Sequence, residues 1–283
     1  MMNKHPILLF TPGNRREFME KASQYDPDAI VIDLEDALAK DLKEKSRREI
    51  AGLIPKLDVE CIVRVNPEPE YLEKDIEAVV SKHIFGLMVP KVETVGFLRS
   101  VDRILTGLEE EKNLPLNSIK LLIGIETALG VMRCYELGSA VARNYAVFCA
   151  SGEEGDLQTS LRCSYSGLLY SRAKVLLDSR AAGIECVLDG VFTNIQDLEG
   201  LRRDCLFSKE LGYDGRALIY PKHIPIARQV YSPSSEELDR YRRMIQAFEK
   251  GEAQGLAAIS FEGQMVDYAA IKKAKRILSA SAE

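Results

Sequence analysis

The chain has 283 residues, of which 46% are hydrophobic and 29% are charged, and its formal net charge is −5. This composition excludes general disorder, and the acidic balance argues against binding to nucleic acid or to anionic lipid surfaces. The apolar patch near the N-terminus, residues 7–10, is too short for a signal peptide or a membrane span. We therefore expect a cytoplasmic protein with no nucleic-acid or membrane partner.

Short apolar runs rich in β-branched residues recur along the chain, each followed by polar or glycine residues and then by a helical pattern. The eight runs that predict strands are residues 7–10, 29–32, 61–65, 86–89, 121–125, 146–149, 186–191 and 217–220. The first and last begin 210 residues apart over seven intervals, so the mean repeat is 30 residues, the size of a βαβ step. Eight such units favour a closed (β/α)8 TIM barrel over an open doubly wound sheet.

Amphipathic stretches between the runs predict helices, among them residues 41–57 and 166–182. Asp41 and Glu44 have the spacing of a capping box at the start of the first of these helices.

The pattern changes after the last strand, where Ser234 and Glu237 form a second capping-box match. The helix stripe that follows stops at Gly251, and we expect a loop over residues 252–266 and a final helix ending near Leu278. The stripe consists of Leu238, Tyr241, Ile245 and Phe248. We predict a barrel over residues 1–230 and a helical extension over 231–283 that either caps the barrel or reaches a neighbouring subunit.

The cysteines and histidines of the sequence give little support to a metal site built from thiolate or imidazole ligands. The six cysteines contain no C-x-x-C pair and lie mostly in or beside apolar runs, which predicts reduced and mostly buried thiols. The histidines, His5, His83 and His223, are far apart in sequence, and none belongs to an H-E-x-x-H motif.

Two carboxylates at adjacent strand ends indicate a different metal site. The active site of a parallel barrel lies at the C-terminal ends of its strands. Glu126 follows the fifth run directly, and Asp156 lies a few residues beyond the sixth. Because neighbouring strands are about 4.8 Å apart, both carboxylates can reach one ion, and oxygen ligands suit Mg²⁺ or Mn²⁺. The alternative is that each acid caps the following helix or pairs with a surface lysine.

Arg64 is embedded in the third strand, where an outward, helix-covered arginine is costly to bury. An inward arginine at the rim can bind a carboxylate bidentately or stabilise an enolate oxygen. The alternative is a structural salt bridge with Asp33 or Glu35. Asp33 and Glu35 either orient Arg64 and Lys91 or cap the next helix, and Lys91 either pairs with an acid or contacts a ligand anion.

Ten segments, in order along the chain, match a known pattern. They are LLFTPGNRREFMEKA, DAIVIDLEDALA, IVRVNP, GLMVPKVET, LIGIETALGV, GDLQTSL, LLYSRAKVLLDSRAAGI, DGVFTNIQDLEGLRRD, GYDGRALIYPKHI and FEGQMVDYAAIKKAKRIL. In these segments the chain resembles the citrate lyase beta subunit-like group of the HpcH/HpaI aldolase family. The resemblance implies a Mg²⁺-dependent carbon–carbon lyase, of the retro-aldol or Claisen type, acting on a citryl, citramalyl or malyl thioester.

The resemblance also implies roles for single residues. It implies that Glu126 and Asp156 bind Mg²⁺, with Mn²⁺ as the alternative ion, and that Arg64 binds the keto-acid product. Asp33, Glu35 and Lys91 complete the predicted substrate-binding set. It further implies that Asp267 is an acid/base residue presented by a neighbouring subunit of a homotrimer or its doubling. By its position alone, Asp267 most simply caps the final helix.

The sequence departs from the family pattern in three places. Gly155 stands where glutamate is usual, so Glu154 is an alternative ligand; Leu129 stands where arginine is usual; and the sequence Tyr-Pro-Lys at 220–222 replaces a more common His-Pro. The alternative functions are an acyl-CoA thioesterase, a free keto-acid aldolase or a non-catalytic binding subunit. The carrier is coenzyme A or an acyl carrier protein, and its candidate phosphate contacts are Arg15, Arg16 and Lys222.

Overall fold

The computed structural model describes residues 5–281 and confirms the predicted barrel. Eight parallel strands pair in chain order, and β1 closes the barrel against β8. The strands are β1 (Ile7–Pro12), β2 (Ala29–Asp33), β3 (Cys61–Arg64), β4 (Gly86–Val89), β5 (Lys120–Ile125), β6 (Asn144–Cys149), β7 (Cys186–Asp189) and β8 (Gly215–Leu218). All eight predicted runs therefore correspond to barrel strands.

Helices connect the strands and pack around them. They are α1 (Arg16–Lys21), α2 (Lys43–Leu53), α3 (Pro69–Val79), α4 (Val95–Glu111), α5 (Ala128–Met132), α6 (Cys134–Gly138), α7 (Asp156–Leu161), α8 (Leu169–Ala181), α9 (Leu198–Leu211) and α10 (Ile224–Tyr231). The predicted helix over residues 166–182 is confirmed, with a 3₁₀ turn, Tyr165–Leu168, before α8.

The capping box predicted at Asp41 and Glu44 is wrong. Asp41 lies inside a 3₁₀ turn, Lys40–Leu42, and α2 begins after it without a side-chain cap. Glu44 instead accepts hydrogen bonds from Arg47 and Arg48, because i,i+3 and i,i+4 partners lie on the same helix face. The predicted helix over 41–57 is divided into this turn, α2 and a second 3₁₀ turn, Ile54–Lys56.

Strand alternation divides the core into two layers. Ile123 and Ile125 of β5 belong to the large cluster between strands and helices, whereas Leu122 belongs to the cluster inside the barrel. The six cysteines are free, and all except the half-buried Cys163 are buried, as predicted. Within residues 5–281, no helix combines the length and the apolar character needed to cross a membrane.

The chain divides into two compact units, one up to Tyr231 and one from Ser232. The second unit contains α11 (Ser235–Glu252), β9 (Ala258–Phe261), β10 (Gln264–Asp267) and α12 (Tyr268–Ser281). The capping box of Ser234 and Glu237 is confirmed, with both of its hydrogen bonds present.

The predicted loop over 252–266 is wrong, since β9 and β10 form an antiparallel hairpin that occupies its second half and ends at Asp267. Glu262 and Gly263 join the strands with φ angles of 49° and 78°, the left-handed backbone that a two-residue hairpin turn needs. Val266 of β10 belongs to a small apolar cluster of the second unit with Phe248 and Ile271, which stabilises the hairpin.

Candidate active site

A cavity of about 300 Å³ lies at the carboxyl ends of the barrel strands. Its walls are formed by Phe10, Thr11, Pro12, Asp33, Asp36, Ala37, Arg64, Glu126, Phe148, Ala150, Gly155, Asp156, Val191 and Ile219. Several of these residues continue the inward-facing series of their strands by one more position. In β5, for example, Leu122 faces the interior, and Glu126 lies on the same face four residues later.

Glu126 is the most deeply buried carboxylate in the cavity wall, with only 2% of its surface exposed. Burial raises the pKa of Glu126 to about 8, although the positive charge of Arg64 opposes the change. Within the described part of the chain, its Oε1 atom has no hydrogen-bond partner. A Cβ on Gly124 would lie 2.6 Å from this oxygen, so the glycine leaves the space into which the carboxylate turns.

Asp156 begins α7, at the end of the loop that follows β6. Its side chain is 48% exposed, and Oδ2 lies 3.3 Å from Nζ of Lys91. Asp156 and Glu126 line the same cavity, as predicted from their positions at adjacent strand ends. A divalent cation fits this pair, because the buried Oε1 lacks a partner and Asp156 is open to solvent.

No group of three or more His, Cys, Asp or Glu side chains within residues 5–281 is arranged to hold a metal ion. Two protein carboxylates would leave further coordination positions for water or for substrate oxygens.

Arg64 forms the salt bridge that was one of its two predicted roles. Its Nε and Nη2 atoms donate to the two oxygens of Asp33 at 2.8 and 2.6 Å, and Nη1 lies 3.0 Å from Glu35. Burial alone would lower the pKa of Arg64, but the bonds and charges of these acids raise it. Arg64 nevertheless lines the cavity, with its side chain 12% exposed, so a ligand can still reach the guanidinium.

Lys91 and Glu35 form an ion pair next to residues of the cavity wall. Lys91 Nζ donates to Glu35 Oε1 at 2.7 Å, and neither residue is among those that line the cavity. Burial raises the pKa of Glu35 to about 7, against the lowering effects of Arg64 and Lys91. Lys91 has a φ of 53°, a left-handed backbone that costs a non-glycine residue energy and is often found at functional sites.

A buried carboxylate on β7, which was not among the predicted site residues, supports the loop that carries Asp156. Asp189 accepts a hydrogen bond of 2.5 Å from the hydroxyl of Ser151, which follows β6, and it pairs with Arg172 of α8. Burial opposes ionisation, but the charges of Arg172 and Arg216 lower the pKa of Asp189. The available signal was strand alternation, since Leu188 faces the barrel interior and Asp189 therefore faces outward, between strand and helices.

Among the residues at or beside the departures from the family pattern, Gly155 lines the cavity, whereas Glu154, Leu129 and Lys222 do not. Glu154 is exposed, with a φ of 58°, and its backbone N–H donates to Gln158. Leu129 is exposed on α5, and Lys222 is exposed in a 3₁₀ turn after β8. Arg15 and Arg16 are also exposed, and Arg16 pairs with Glu20.

Asp267, in the second unit, occupies the capping position expected from its place before the final helix. Its Oδ1 atom accepts hydrogen bonds from the backbone N–H groups of Ala269 and Ala270, at 3.0 and 3.1 Å.

The chain matches the HpcH/HpaI aldolase/citrate lyase profile over residues 6–221, which is most of its length and includes every residue of the cavity wall. It belongs to this family. It is 32% identical to citrate lyase subunit beta from Leuconostoc mesenteroides subsp. cremoris over 96% of this chain and 91% of that protein. It is 31% identical to (3S)-malyl-CoA thioesterase from Cereibacter sphaeroides strain ATCC 17023, over 97% of this chain and 94% of the relative.

The barrel of this family member also resembles a solved structure. The protein CitE from Mycobacterium tuberculosis, crystallised with magnesium, acetoacetate and coenzyme A, superposes with a TM-score of 0.78 at 27% identity. The alignment covers 99% of this chain and 98% of CitE. The two relatives are named for different reactions, one as a citrate lyase subunit and the other as a thioesterase. Membership of the family does not decide between these two reactions.

Proposed function

We propose that this family member is a Mg²⁺-dependent carbon–carbon lyase that cleaves a β-hydroxy acyl thioester into a 2-keto acid and a shorter acyl thioester. The observation that carries the proposal is the pair of Glu126 and Asp156 in one cavity with the guanidinium of Arg64. The CitE complex with magnesium and coenzyme A and the similarity to citrate lyase subunit beta support it. Mn²⁺ is the alternative ion for the same oxygen ligands.

Glu126 and Asp156 would hold the cation. When bound, the cation supplies Lewis-acid chemistry and a template for substrate oxygens. The carboxylate of the keto-acid half binds Arg64, whose Nη2 carries a second N–H besides the one donated to Asp33. Because Asp33 and Glu35 hold the guanidinium in place, little side-chain freedom is lost when the substrate binds.

Cleavage passes the hydroxyl proton to solvent, breaks the bond between the two carbons and leaves a thioester enolate that must take up a proton at carbon. We assign this last proton to Asp267 of a neighbouring copy of the chain, in a trimer or its doubling, as the family resemblance implies. Both capping N–H groups donate to Oδ1 of Asp267, so the cap can coexist with proton transfer at the other oxygen.

The test is incubation of the full chain with Mg²⁺ and citramalyl, malyl and citryl thioesters of coenzyme A. We expect a keto acid and acetyl-CoA in equal amounts, and loss of both with Glu126→Gln or Asp156→Asn. Glu153→Gln is the matched control, because Glu153 is an exposed acid in the same loop and does not line the cavity. Unchanged turnover in the first two variants would remove the proposed metal site.

A thioesterase is the second candidate, favoured by the similarity to (3S)-malyl-CoA thioesterase. The same incubation distinguishes the two reactions, because hydrolysis releases free coenzyme A and an intact hydroxy acid. An aldolase would act on free keto acids without a thioester. A non-catalytic binding subunit would show no turnover with any of the thioesters.

A further inference from the structure

The cavity rim has a charged half and an apolar half. The charged half consists of Asp33, Asp36, Arg64, Glu126 and Asp156, which come from the carboxyl ends of β2, β3 and β5 and from the start of α7 after β6. The apolar half consists of Phe10, Phe148, Ala150, Val191 and Ile219, from the ends of β1, β6, β7 and β8. Since these four strands are neighbours in the closed barrel, their side chains form one continuous surface, which we call the apolar wall.

The apolar wall is built on the core of the barrel. Phe10 and Phe148 continue the inward-facing series of β1 and β6, and their ring centroids are 5.9 Å apart. The ring of Phe10 also lies 5.0 Å from the guanidinium of Arg64, which marks the border between the two halves. Beyond this border a bound group therefore meets the apolar side chains of the strand ends, apart from the hydroxyl of Thr11, which also lines the cavity.

The cations near the cavity are already paired with acids. Arg64 binds Asp33 and Glu35, and Lys91 lies 2.7 Å from Glu35 and 3.3 Å from Asp156. Arg64 is also the only Lys or Arg among the residues that line the cavity within the described chain. One substrate carboxylate can bind Arg64, but a second carboxylate directed at the apolar wall would lose its water without gaining a cationic partner.

The chemistry of the reaction decides what faces the wall. The hydroxyl-bearing carbon of the substrate has four substituents: the hydroxyl, a carboxylate, the carbon whose bond is broken, and a fourth group. The hydroxyl and the carboxylate belong with the metal ligands and Arg64, on the charged half. The fourth group is then directed toward the apolar wall, where alkyl carbon gains free energy from burial.

We propose that the enzyme selects thioesters whose hydroxyl carbon carries a short alkyl group, so that the keto acid is monocarboxylic, of the pyruvate or 2-oxobutyrate type. This specificity rests on the proposed lyase function. The wall disfavours a hydrogen in the fourth position because it leaves the space unfilled. It disfavours a carboxymethyl group because the charge has no partner there.

The experiment compares kcat/KM for four coenzyme A thioesters that differ only in the fourth group: hydrogen, methyl, ethyl and carboxymethyl. We expect methyl to exceed hydrogen by about tenfold, the usual scale for one added carbon in an apolar pocket. We expect methyl to exceed carboxymethyl by at least about tenfold, since the second carboxylate is desolvated without a partner. Equal or faster cleavage of the carboxymethyl substrate by the wild-type enzyme would overturn the proposal.

Ile219→Arg supplies the missing cation on the apolar wall. We expect it to raise relative activity on the carboxymethyl substrate by about tenfold, as a charge-assisted contact would. Ile195→Arg is the matched control, because Ile195 and Ile219 are both 43% exposed and only Ile219 lines the cavity. A shift of the same size in both variants would overturn the assignment to the wall.

Direct binding separates failure of the specificity from failure of the lyase function. Calorimetry with Mg²⁺ compares pyruvate, 2-oxobutyrate and oxaloacetate without requiring turnover. Tighter binding of the monocarboxylic acids supports the wall even if no thioester is cleaved, in which case only the proposed reaction fails. Tighter binding of oxaloacetate overturns the specificity while leaving the lyase function intact.

Discussion

Glu126→Gln separates the cost of a buried charge from the binding of a metal. Glu126 is 2% exposed, and burial raises its pKa from 4.5 to about 8. Between these pH values the unfolded chain carries the ionised group while the folded protein carries the protonated one. Because the folded-state pKa of Glu126 is raised, the folded protein has its full stability below the unfolded-state pKa, and it loses stability as the pH rises from there through the folded-state pKa. At about 1.4 kcal/mol per pKa unit, the loss reaches roughly 5 kcal/mol.

Glutamine has nearly the same shape and no charge, so the variant avoids this loss. Denaturant unfolding with a chelator present should show the variant gaining about 4 kcal/mol on the wild type between pH 5 and pH 9. Adding Mg²⁺ at 100 times its dissociation constant should stabilise the wild type by about 2.7 kcal/mol and leave Glu126→Gln unchanged.

Two results would refute this reasoning in different places. A stability difference that does not change with pH would show that burial does not disfavour the ionised carboxylate of Glu126. Equal stabilisation of the wild type and the variant by Mg²⁺ would show that this carboxylate is not a metal ligand. Glu153→Gln, an exposed acid after β6, should match the wild type in both measurements.

Gly124→Ala should lower Mg²⁺ affinity by about 10–100-fold in calorimetry, because the new Cβ meets Oε1 of Glu126 at 2.6 Å. Gly107→Ala is the control, because a Cβ on Gly107 of α4 would have no neighbouring atom within 4 Å. It should leave Mg²⁺ binding unchanged, and a loss of Mg²⁺ affinity in this variant would contradict the reasoning. Ser151→Ala removes the hydrogen bond to Asp189, the buried acid of β7. Because Ser151 supports the loop that carries Asp156, the variant should bind Mg²⁺ about tenfold more weakly, and its free energy of unfolding should fall by about 1–3 kcal/mol. Mg²⁺ affinity should rise with pH up to about 8, where Glu126 loses its proton, and buffers of different ionisation enthalpy should detect the released proton; affinity independent of pH from 6 to 8 would contradict this.

The positions of the barrel strands could be predicted because apolar runs recur at a regular spacing that local propensity controls. Glu126 and Asp156 could be placed on one rim for the same reason, since each lies just beyond a strand end. The hairpin of β9 and β10 was missed because its strands are four residues each and mostly exposed, so they lack a clear apolar run. Its turn, at Glu262 and Gly263, was the readable signal.

The contacts between distant segments depended on the closed barrel. Sequence left Arg64 open between a structural salt bridge and a ligand site, and the structure shows it bonded to Asp33 while it still lines the cavity. Asp189 was missed because strand alternation gives its outward direction but not its partner, Arg172 of α8, which only the packing of the helix on the barrel supplies.

By itself, the sequence determined the number of strands, the parallel order and the set of acids at the rim, since these follow from local periodicity and chain order. Only the tertiary structure decided that Glu126 is buried beside a glycine and that Phe10, Phe148 and Ile219 share one wall. Burial and charge pairing are properties of surfaces brought together from separate strands. Closing the barrel brings those surfaces together, and no single segment contains the information.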